Sequence, residues 1–195
     1  MAFNAYLVIS DSLKPAIKGE STSVPEKGVT TANGAIEVTD YGFGVSMPVS
    51  TSRSDGGGAT VGRANFDVFT ASKGIDTATP YLFQYCCKGT AVDAIVLHLY
   101  RAGEGTESGV VKYAMVVFQF CVITKVAVTG SGEELPKESL EFNYGKCEYV
   151  YRETDHNTGL PTGRALDRFG WSTIKNQQDF PLQDFAKFMP EAAKK

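Results

Sequence analysis

The sequence has few of the residues on which catalytic and nucleic-acid-binding proteins depend. It contains two histidines and one tryptophan among 195 residues. Its 19 basic and 22 acidic side chains are mixed along the chain and give a formal net charge of −3 at pH 7. Nucleic-acid surfaces need a cluster or stripe of basic side chains. We therefore expect no nucleic-acid partner.

Catalytic signatures are missing as well. No Gly-x-Ser-x-Gly, His-Glu-x-x-His or paired acidic cluster occurs. His98 lies in an apolar strand pattern without a neighbouring acid or nucleophile, and His156 follows Asp155 in a turn. A pairing of Cys86 with His98 lacks an Asn or Asp that would orient the imidazole. The sequence thus predicts a protein that is not an enzyme and needs no cofactor.

Metal-binding spacing is absent from the four cysteines, which lie at positions 86, 87, 121 and 147. Cys86 and Cys87 are adjacent on a predicted helix, so their side chains diverge by about 100° and do not chelate one ion together. No Cys-x-x-Cys or Cys/His spacing occurs. We expect small buried thiols in a reducing compartment, and no metal site.

Long apolar runs and targeting segments are also lacking. The longest apolar run, residues 113–128, is broken by Gln119, Thr124 and Lys125 and is rich in β-branched residues. These features favour a strand over a membrane span. The first ten residues have no basic region and too short an apolar run for a signal peptide. We expect no membrane partner and a subunit that is cytoplasmic when assembled.

Glycine and aromatic residues are abundant and indicate an all-β domain. The chain has 20 glycines, 12 phenylalanines and 9 tyrosines, which suit many strands and turns. Alternation of apolar and polar residues predicts strands over residues 3–9, 35–45, 65–71, 92–100, 113–129, 140–153 and 164–174. The alternation changes phase at residues 39–40 and again at 145–146. We predict a bend or bulge at the first place, and at the second a bulge with two residues facing one.

One segment before the C-terminal region reads as a helix. Thr79 suits the N-cap, Pro80 the first helical position, and Gly89 the left-handed residue that ends the helix. The spacing predicts one buried apolar stripe, formed by Leu82, Phe83, Cys86 and Cys87. A helix this short is marginal alone in water, so it must be held by packing against the strands.

Two stretches predict segments outside the core. Residues 46–62 contain a triple glycine and few core-forming side chains, which indicates a long exposed loop. No Gly-Lys-Ser/Thr follows it, so phosphate binding is not indicated. Residues 181–195 differ in composition from the rest of the chain. There a short C-terminal helix would run from Pro181 to Pro190 with one apolar face, formed by Leu182, Phe185, Phe188 and Met189.

Several separated motifs resemble the haemolysin co-regulated protein (Hcp) family. Residues 17–21 resemble the family's early signature and include Gly19 and Glu20. Residues 76–82 resemble the Asp-x-Ala-Ser-Pro-x-Leu that opens the family's helix, with Thr in place of Ser. The residues that carry this match are Asp76, Thr79, Pro80 and Leu82.

Further matches follow in the family's order. Residues 36–45 resemble its second strand, although Phe43 stands where Trp is common. Residues 138–146 resemble its late strand, and Gly170 and Trp171 its final strand. Each motif is short, but together they are specific.

The resemblance implies a β-barrel of two packed antiparallel sheets with one helix, spanning residues 1–180. Six copies would form a ring, and rings would stack head to tail into the inner tube of a bacterial type VI secretion system. Sheath and spike proteins would be its partners, and small effector proteins would travel in its lumen. The subunit would then be secreted into the medium or a target cell without a signal peptide.

Within this hypothesis the exposed loop supplies contacts between stacked rings. The residues assigned to this role are Ser52, Arg53, Ser54, Asp55, Gly56, Gly57 and Gly58. The alternative is a monomeric or dimeric lectin-like β-sandwich that binds a ligand through Tyr and Trp side chains in an aromatic-lined pocket. The oligomeric state distinguishes the two hypotheses.

Overall fold

The structure, a computed structural model, describes residues 4–10, 15–21, 34–49, 62–102, 110–132, 134–155 and 157–179. The predicted stacking residues 52–58, His156 and the C-terminal residues 181–195 lie outside the described residues. Within the described ranges, no helix is long and apolar enough to cross a membrane.

Strands dominate the described residues, as the sequence predicts. In chain order they are β1 (Asn4–Ile9), β2 (Ile36–Val38), β3 (Asp40–Gly42), β4 (Val45–Ser46), β5 (Asn65–Phe66), β6 (Phe69–Gly74), β7 (Ala91–Ala102), β8 (Val110–Ser131), β9 (Glu134–Tyr151), β10 (Asp167–Ser172) and β11 (Gln177–Gln178). The helix α1 (Thr79–Lys88) lies between β6 and β7. The all-β class with one short helix is confirmed.

The strands form one nine-stranded sheet and one two-stranded ribbon. The sheet order is β11-β10-β9-β8-β7-β1-β2, and β6 branches from β9 to pair with β3. Every pairing is antiparallel, and β4 pairs with β5 in the ribbon. Among the described strands the hydrogen-bonded ladder does not close into a barrel, because β2 and β3 are joined by the chain and not by a ladder.

The predicted bend near residue 39 carries the chain from one end of the sheet to the other. β2 pairs with β1, whereas β3 pairs with β6. Between them Thr39 donates its backbone N–H to the carbonyl of Ser72 at 2.8 Å. The prediction is confirmed, and the bend curls the sheet around a single main core.

The predicted phase change in β9 is present, but its geometry is not that of a bulge. Tyr144 and Cys147 are three residues apart and both belong to the main core. Gln119 faces Lys146 and Cys121 faces Tyr144, so one residue on each strand lies between the paired positions. The prediction of two residues facing one was therefore wrong at this place.

Both long strands change phase together, which keeps their register. On β8 the residue between the paired positions is Phe120, which has a φ of 55°, and it stands opposite Gly145. A Cβ at Gly145 would lie 2.6 Å from Cδ1 of Ile174 and 3.2 Å from Cβ of Phe120, so glycine lets the strands and the following turn come together here. The register shift does occur, but further along β8, between Ile123 and Lys125.

The helix begins one residue earlier than its predicted cap. Its N-cap is Ala78, which has no side-chain cap hydrogen bond, and Thr79 is the first helical residue. The prediction of Thr79 as N-cap, with Pro80 first in the helix, was wrong because the Thr79 hydroxyl bonds elsewhere. Gly89 ends the helix in the left-handed region with φ 60°, as predicted, and donates its N–H to the Cys86 carbonyl at 3.2 Å.

The buried face of α1 differs in part from the predicted stripe. Leu82 is fully buried and Tyr85 is 3% exposed, whereas Phe83 is 40% exposed. Cys86 is half-buried and Cys87 is exposed, so the predicted stripe is right for Leu82 and only partly right for Cys86. A helix packed on a sheet buries only one narrow line of its side chains. The short apolar run in the sequence does not show which line that is.

The core lies on the inner side of the curled sheet, and aromatic rings fill its centre. Phe69 stacks on Phe142 with ring centroids 4.5 Å apart, and Phe118 meets both edge-on at 5.1 and 5.3 Å. All three side chains are fully buried. Such pairs add to the free energy gained by burying their area.

A pair of alanine substitutions tests the corrected helix face. Leu82→Ala should lower the free energy of unfolding by about 2–5 kcal/mol, because it opens a cavity in the main core. Phe83→Ala on the same helix should cost about 1 kcal/mol or less, because much of its ring is in water. Urea unfolding of both variants measures the difference, and equal losses would restore the predicted stripe.

Candidate functional site

Four polar side chains meet where α1 joins the sheet. Lys73 Nζ lies 2.7 Å from Oδ1 of Asp76 and 3.2 Å from Oε2 of Glu138. The Thr79 hydroxyl accepts a hydrogen bond from Lys73 Nζ at 3.1 Å and donates one to Glu138 Oε2. Lys73 and Glu138 are each 1% exposed. We call these four residues the helix-entry cluster.

Strand pairing and a local turn bring the cluster together. The antiparallel register of β6 and β9 places Lys73 directly opposite Glu138. Asp76 follows β6, and its Oδ1 accepts the N–H of Ala78 at 3.0 Å, a side-chain turn typical of Asp. Its own N–H donates to the Thr79 hydroxyl at 3.2 Å. The Asp-x-Ala-Thr-Pro motif therefore forms the start of the helix. It also supplies the side chains of Asp76 and Thr79, which bond to the buried charges of Lys73 and Glu138.

Buried charges stabilise a fold only when they are paired and hydrogen-bonded, and removing one partner is costly. Lys73 satisfies this condition through Asp76, Glu138, Thr79 and the Gly74 carbonyl at 2.9 Å. The cluster thus locks α1, β6 and β9 in one arrangement. Its charged groups are paired with one another, which suits a structural anchor, although Oε1 of Glu138 is buried without a hydrogen-bond partner.

The early signature packs against the same corner. Glu20 Oε1 accepts the N–H of Thr77 at 3.0 Å, and the Thr77 hydroxyl donates to the Lys18 carbonyl at 3.0 Å. A Cβ at Gly19 would lie 2.4 Å from the Ala35 carbonyl oxygen, so only glycine allows this approach. Two motifs 57 residues apart in the chain, at Glu20 and Thr77, therefore meet at the start of the helix.

The final motif lies on β10, next to the ion pair of Arg168 and Glu148. Gly170 is buried and faces Glu148, and Trp171 is half-buried and faces Cys147. Glu148 is 1% exposed, and its Oε1 lies 3.3 Å from the guanidinium of Arg168. Burial raises the pKa of Glu148, opposed in part by the charge of Arg168.

Sequence reasoning missed the charged partners within the strands. Lys73, Glu138 and Glu148 look like ordinary solvent-facing residues of alternating strands, yet each is 1% exposed. The sequence did contain a signal for Lys73 and Glu138, because antiparallel pairing of their strands brings these opposite charges face to face. Finding it requires the register, which tertiary packing sets.

The predicted stacking loop is carried by the ribbon of β4 and β5. Val45 faces Phe66 across the ribbon, and the Gly62 N–H donates to the Pro48 carbonyl at 3.0 Å. The chain before the assigned stacking residues carries exposed apolar side chains, namely Val45 (56%), Met47 (47%) and Val49 (52%). Residues 52–58 themselves lie outside the described residues, so their predicted role stays a prediction.

An apolar pocket of about 260 Å³ opens beside this ribbon. It is lined by Phe43, Gly44, Val45, Phe66, Val116, Tyr144, Cys147, Tyr149 and Phe169. We call it the ribbon pocket. The lectin alternative expects an aromatic-lined pocket, and this pocket is one, but its surface is almost wholly apolar. Carbohydrate binding also needs convergent polar groups, so the lining suits an apolar protein side chain better.

The buried histidine and thiols are held in neutral forms. His98 is 2% exposed, and burial together with the charge of Lys112 lowers its pKa to about 3. Burial raises the pKa of Cys121 to about 12 and that of Cys147 to about 11. Thiols with such values are poor nucleophiles at neutral pH. The expected burial is confirmed for these two cysteines, while Cys87 is exposed.

Within the described ranges, no group of three or more His, Cys, Asp or Glu side chains is arranged to hold a metal ion.

Comparison with known proteins places this architecture in a family. A family model described as "Type VI secretion system effector, Hcp" matches residues 6–151. A solved type six secretion system protein has a TM-score of 0.74 at 21% identity, over 91% of this chain and all of that one. Hcp1 from Salmonella typhimurium has a TM-score of 0.65 at 20% identity, over 92% and 100%. Hcp1 from E. coli EAEC 042 has 0.64 at 21%, over 86% and 97%.

No curated protein matches the chain in a sequence search. The solved structures, all below 25% identity, show the same fold. The family model covers most of the chain, and the chain accordingly belongs to the Hcp family of type VI secretion proteins. This match confirms the resemblance seen in the motifs. Hcp is a family of secreted tube proteins.

A threonine substitution tests the helix-entry cluster. Thr79→Val keeps the shape but removes the hydroxyl that bonds Lys73 and Glu138, so we expect a loss of about 1–3 kcal/mol in the free energy of unfolding. Thr79→Ser keeps the hydroxyl, and Thr90→Val removes a hydroxyl outside the cluster. Both controls should lie nearer the wild type in a denaturant titration. A Thr79→Val protein of wild-type stability would contradict the anchoring role.

The low pKa of His98 predicts a pH dependence of stability. The unfolded chain binds a proton at His98 near pH 6.5, whereas the folded chain does not until about pH 3. Stability should therefore fall as the pH drops from 6.5 towards 3, by up to about 1.4 kcal/mol per pH unit from this residue. Denaturant unfolding of wild type and His98→Gln across this range isolates the term. Parallel pH profiles for the two proteins would show that His98 is not buried in its neutral form.

Proposed function

We propose that this chain forms six-membered rings that stack head to tail into the inner tube of a type VI secretion system. The observation that carries the proposal is the family match over residues 6–151 on a fold shared with Hcp proteins. In this role the protein is a conduit subunit and not an enzyme. It is expelled with the spike and effectors from a cytoplasmic assembly.

Ring closure needs two different surfaces that fit one another, because each subunit meets its neighbours head to tail. The ribbon pocket offers one such surface, with Val45 and Phe169 exposed at 56% and 43% on its rim. Leu135, at 88% exposure, lies in β9 near the β8–β9 connection and offers an apolar side chain for the opposite surface. Exposed apolar side chains grouped around a pocket, as Val45 and Phe169 are, mark an interaction site.

The ends of the sheet support the same proposal. β2 and β11 are edge strands of the described sheet, and β11 is only two residues long. Edge strands present unpaired backbone groups that a neighbouring subunit can continue. A stable contact should bury about 1,200 Å² or more in total, so edge pairing and the ribbon pocket would form part of a larger interface.

Stacking of rings is assigned to residues 52–58 at the end of the ribbon. The ribbon base is fixed, because Asp67 donates its N–H to the Gly44 carbonyl at 3.0 Å and Arg63 bonds the Thr173 carbonyl. An arm anchored in this way can carry a loop to the next ring. Residues 1–180 then act as the tube domain, with 181–195 as an extension.

Light scattering behind gel filtration tests the ring. The wild type should have a mass about six times that of the 21.0 kDa chain, and it should persist on dilution. Val45→Asp adds a charge to the ribbon pocket and should shift the protein to smaller species while leaving the fold intact. Asn65→Asp is the matched control, because it adds a charge to the same ribbon at a residue outside the pocket lining. A wild-type monomer at high concentration would favour the binding-module alternative.

Removal of residues 54–58 tests the stacking role. The shortened protein should keep its melting temperature and its ring mass, because loop residues of this composition add little to a core. Contacts between rings should weaken, seen as fewer and shorter stacks in negative-stain images. Stacks of unchanged length would remove the loop from this role. Unfolding of the shortened subunit would instead make the loop part of the domain's packing.

A further inference from the structure

The hairpin of β8 and β9 extends beyond the rest of the sheet. On one side β6 pairs with β9 only as far as Gly74 opposite Lys137, and on the other β7 begins at Ala91 opposite Val122. Past these positions the two strands pair only with each other in the described sheet. We call residues 129–132 and 135–137, at the end of this hairpin, the hairpin arm. Each of these residues is exposed.

A bulge in the hairpin arm places Leu135 in water. Gly130 is the single residue between the flanking pairs on β8, whereas Leu135 and Pro136 both lie between them on β9. A bulge of this kind twists a strand and re-aims its side chains. At 88%, Leu135 has the most exposed large apolar side chain of the described residues. Its burial against a partner would be favourable, because its apolar area would leave water.

The ribbon pocket lies further along the same strand. Tyr144, which lines the pocket, follows Leu135 by nine positions on β9, which corresponds to about 30 Å of strand. This is about the diameter of a small domain. Leu135 therefore lies away from the pocket of its own subunit, and a hairpin arm that fills the pocket belongs to another copy.

Two other exposed apolar side chains lie too close to the pocket for this role. Phe120 and Ile174 are 63% and 68% exposed, and both lie beside Gly145, the residue that follows Tyr144 of the pocket lining. A protruding side chain next to its own pocket suits a two-fold pair, in which both subunits use the same surface. A ring needs two different surfaces, and Leu135 with the ribbon pocket meets that requirement.

The size and charge of the pocket suit the hairpin arm. Its volume of about 260 Å³ lies below the range of about 300–1,000 Å³ typical for drug-sized ligands, so it suits one or two apolar side chains. The exposed carboxylate of Asp67 borders the pocket, since a Cβ on the lining residue Gly44 would lie 2.7 Å from its Oδ2. Lys137, two residues after Leu135, carries the opposite charge on the arm. Complementary charges fix the register of such a contact.

We propose that Leu135 of one subunit inserts into the ribbon pocket of the next subunit around the ring, with Lys137 beside that neighbour's Asp67. This inference rests on the proposed ring and names a contact that closes it. Each subunit then presents its hairpin arm to one neighbour and its pocket to the other. Such a contact is heterologous, and its repetition closes a ring when the rotation between neighbours allows it.

Disulfide cross-linking tests the contact in the full chain. Leu135→Cys and Val45→Cys are combined in a chain in which the half-buried Cys86 and the exposed Cys87 are replaced by serine. After oxidation with copper phenanthroline, a non-reducing denaturing gel should show a ladder of covalent species that ends at six chains. In the matched control Asn65→Cys replaces Val45→Cys on the same ribbon, outside the pocket lining. Its ladder should be largely lost, because a disulfide forms only when the two Cβ atoms lie about 4 Å apart.

A mixing experiment gives a second readout that needs no cysteine. Leu135→Asp blocks the hairpin arm and leaves the pocket intact, whereas Val45→Asp blocks the pocket and leaves the arm intact. Each variant alone should be monomeric in light scattering. Their equimolar mixture should have twice the mass of the 21.0 kDa chain, because one arm and one pocket remain whole. Ser131→Asp is the matched control on the arm and should keep the wild-type mass. A mixture that stays monomeric, or a Leu135→Asp protein of wild-type mass, would overturn the proposal.

The length of the ladder separates this contact from the proposed function. A wild-type ring in light scattering without a ladder in the double-cysteine variant would overturn the contact and leave the ring standing. Cross-linked pairs that extend no further would indicate a two-fold contact, and a ladder that continues beyond six would place the arm between rings, so either result overturns the proposal. A ladder that closes at another number would support the contact and contradict the six-membered ring. A monomeric wild type without a ladder would overturn both.

Discussion

The shared break in the long β8–β9 ladder is the constraint on which the rest of the structure depends. Both strands change their core-facing phase at Phe120 and Gly145 without losing register, because one residue on each strand is passed over. This allows β9 to pair with β6 along its first half and with β10 along its second. The sheet can thereby curl around one core and still extend to the final motif at Gly170 and Trp171.

Polar clusters then hold the curled sheet in one arrangement. Lys73 and Glu138 join β6 to β9 beneath the start of the helix, where Thr79 bonds both. Buried ion pairs are weak evidence for stability, since well-packed apolar residues often replace them at no loss. Their value here lies in geometry, because a shifted register would leave two charges unpaired in the interior. Such specificity would suit a subunit of the proposed ring.

Family membership was readable from short motifs because each of them performs a local physical task. Gly19 allows two backbones to approach, and Gly89 adopts a left-handed conformation that other residues rarely take. The family model matches residues 6–151, which contain most of these motifs. The sequence was less informative about Thr79, whose hydroxyl looked like a helix cap and instead bonds a glutamate 59 residues away.

Local pattern alone determined most of the described strands, the helix α1, its glycine end and the bend at Thr39. Each of these depends on alternation, backbone preference or turn chemistry within a few residues. Tertiary structure alone decided which charged residues are buried and which side of α1 faces the core. It also decided that the phase change of β9 is matched by one in β8, so that the two strands keep their register. Those features depend on register and on partners such as Phe120 opposite Gly145, which lie far apart in sequence and meet only when the sheet is assembled.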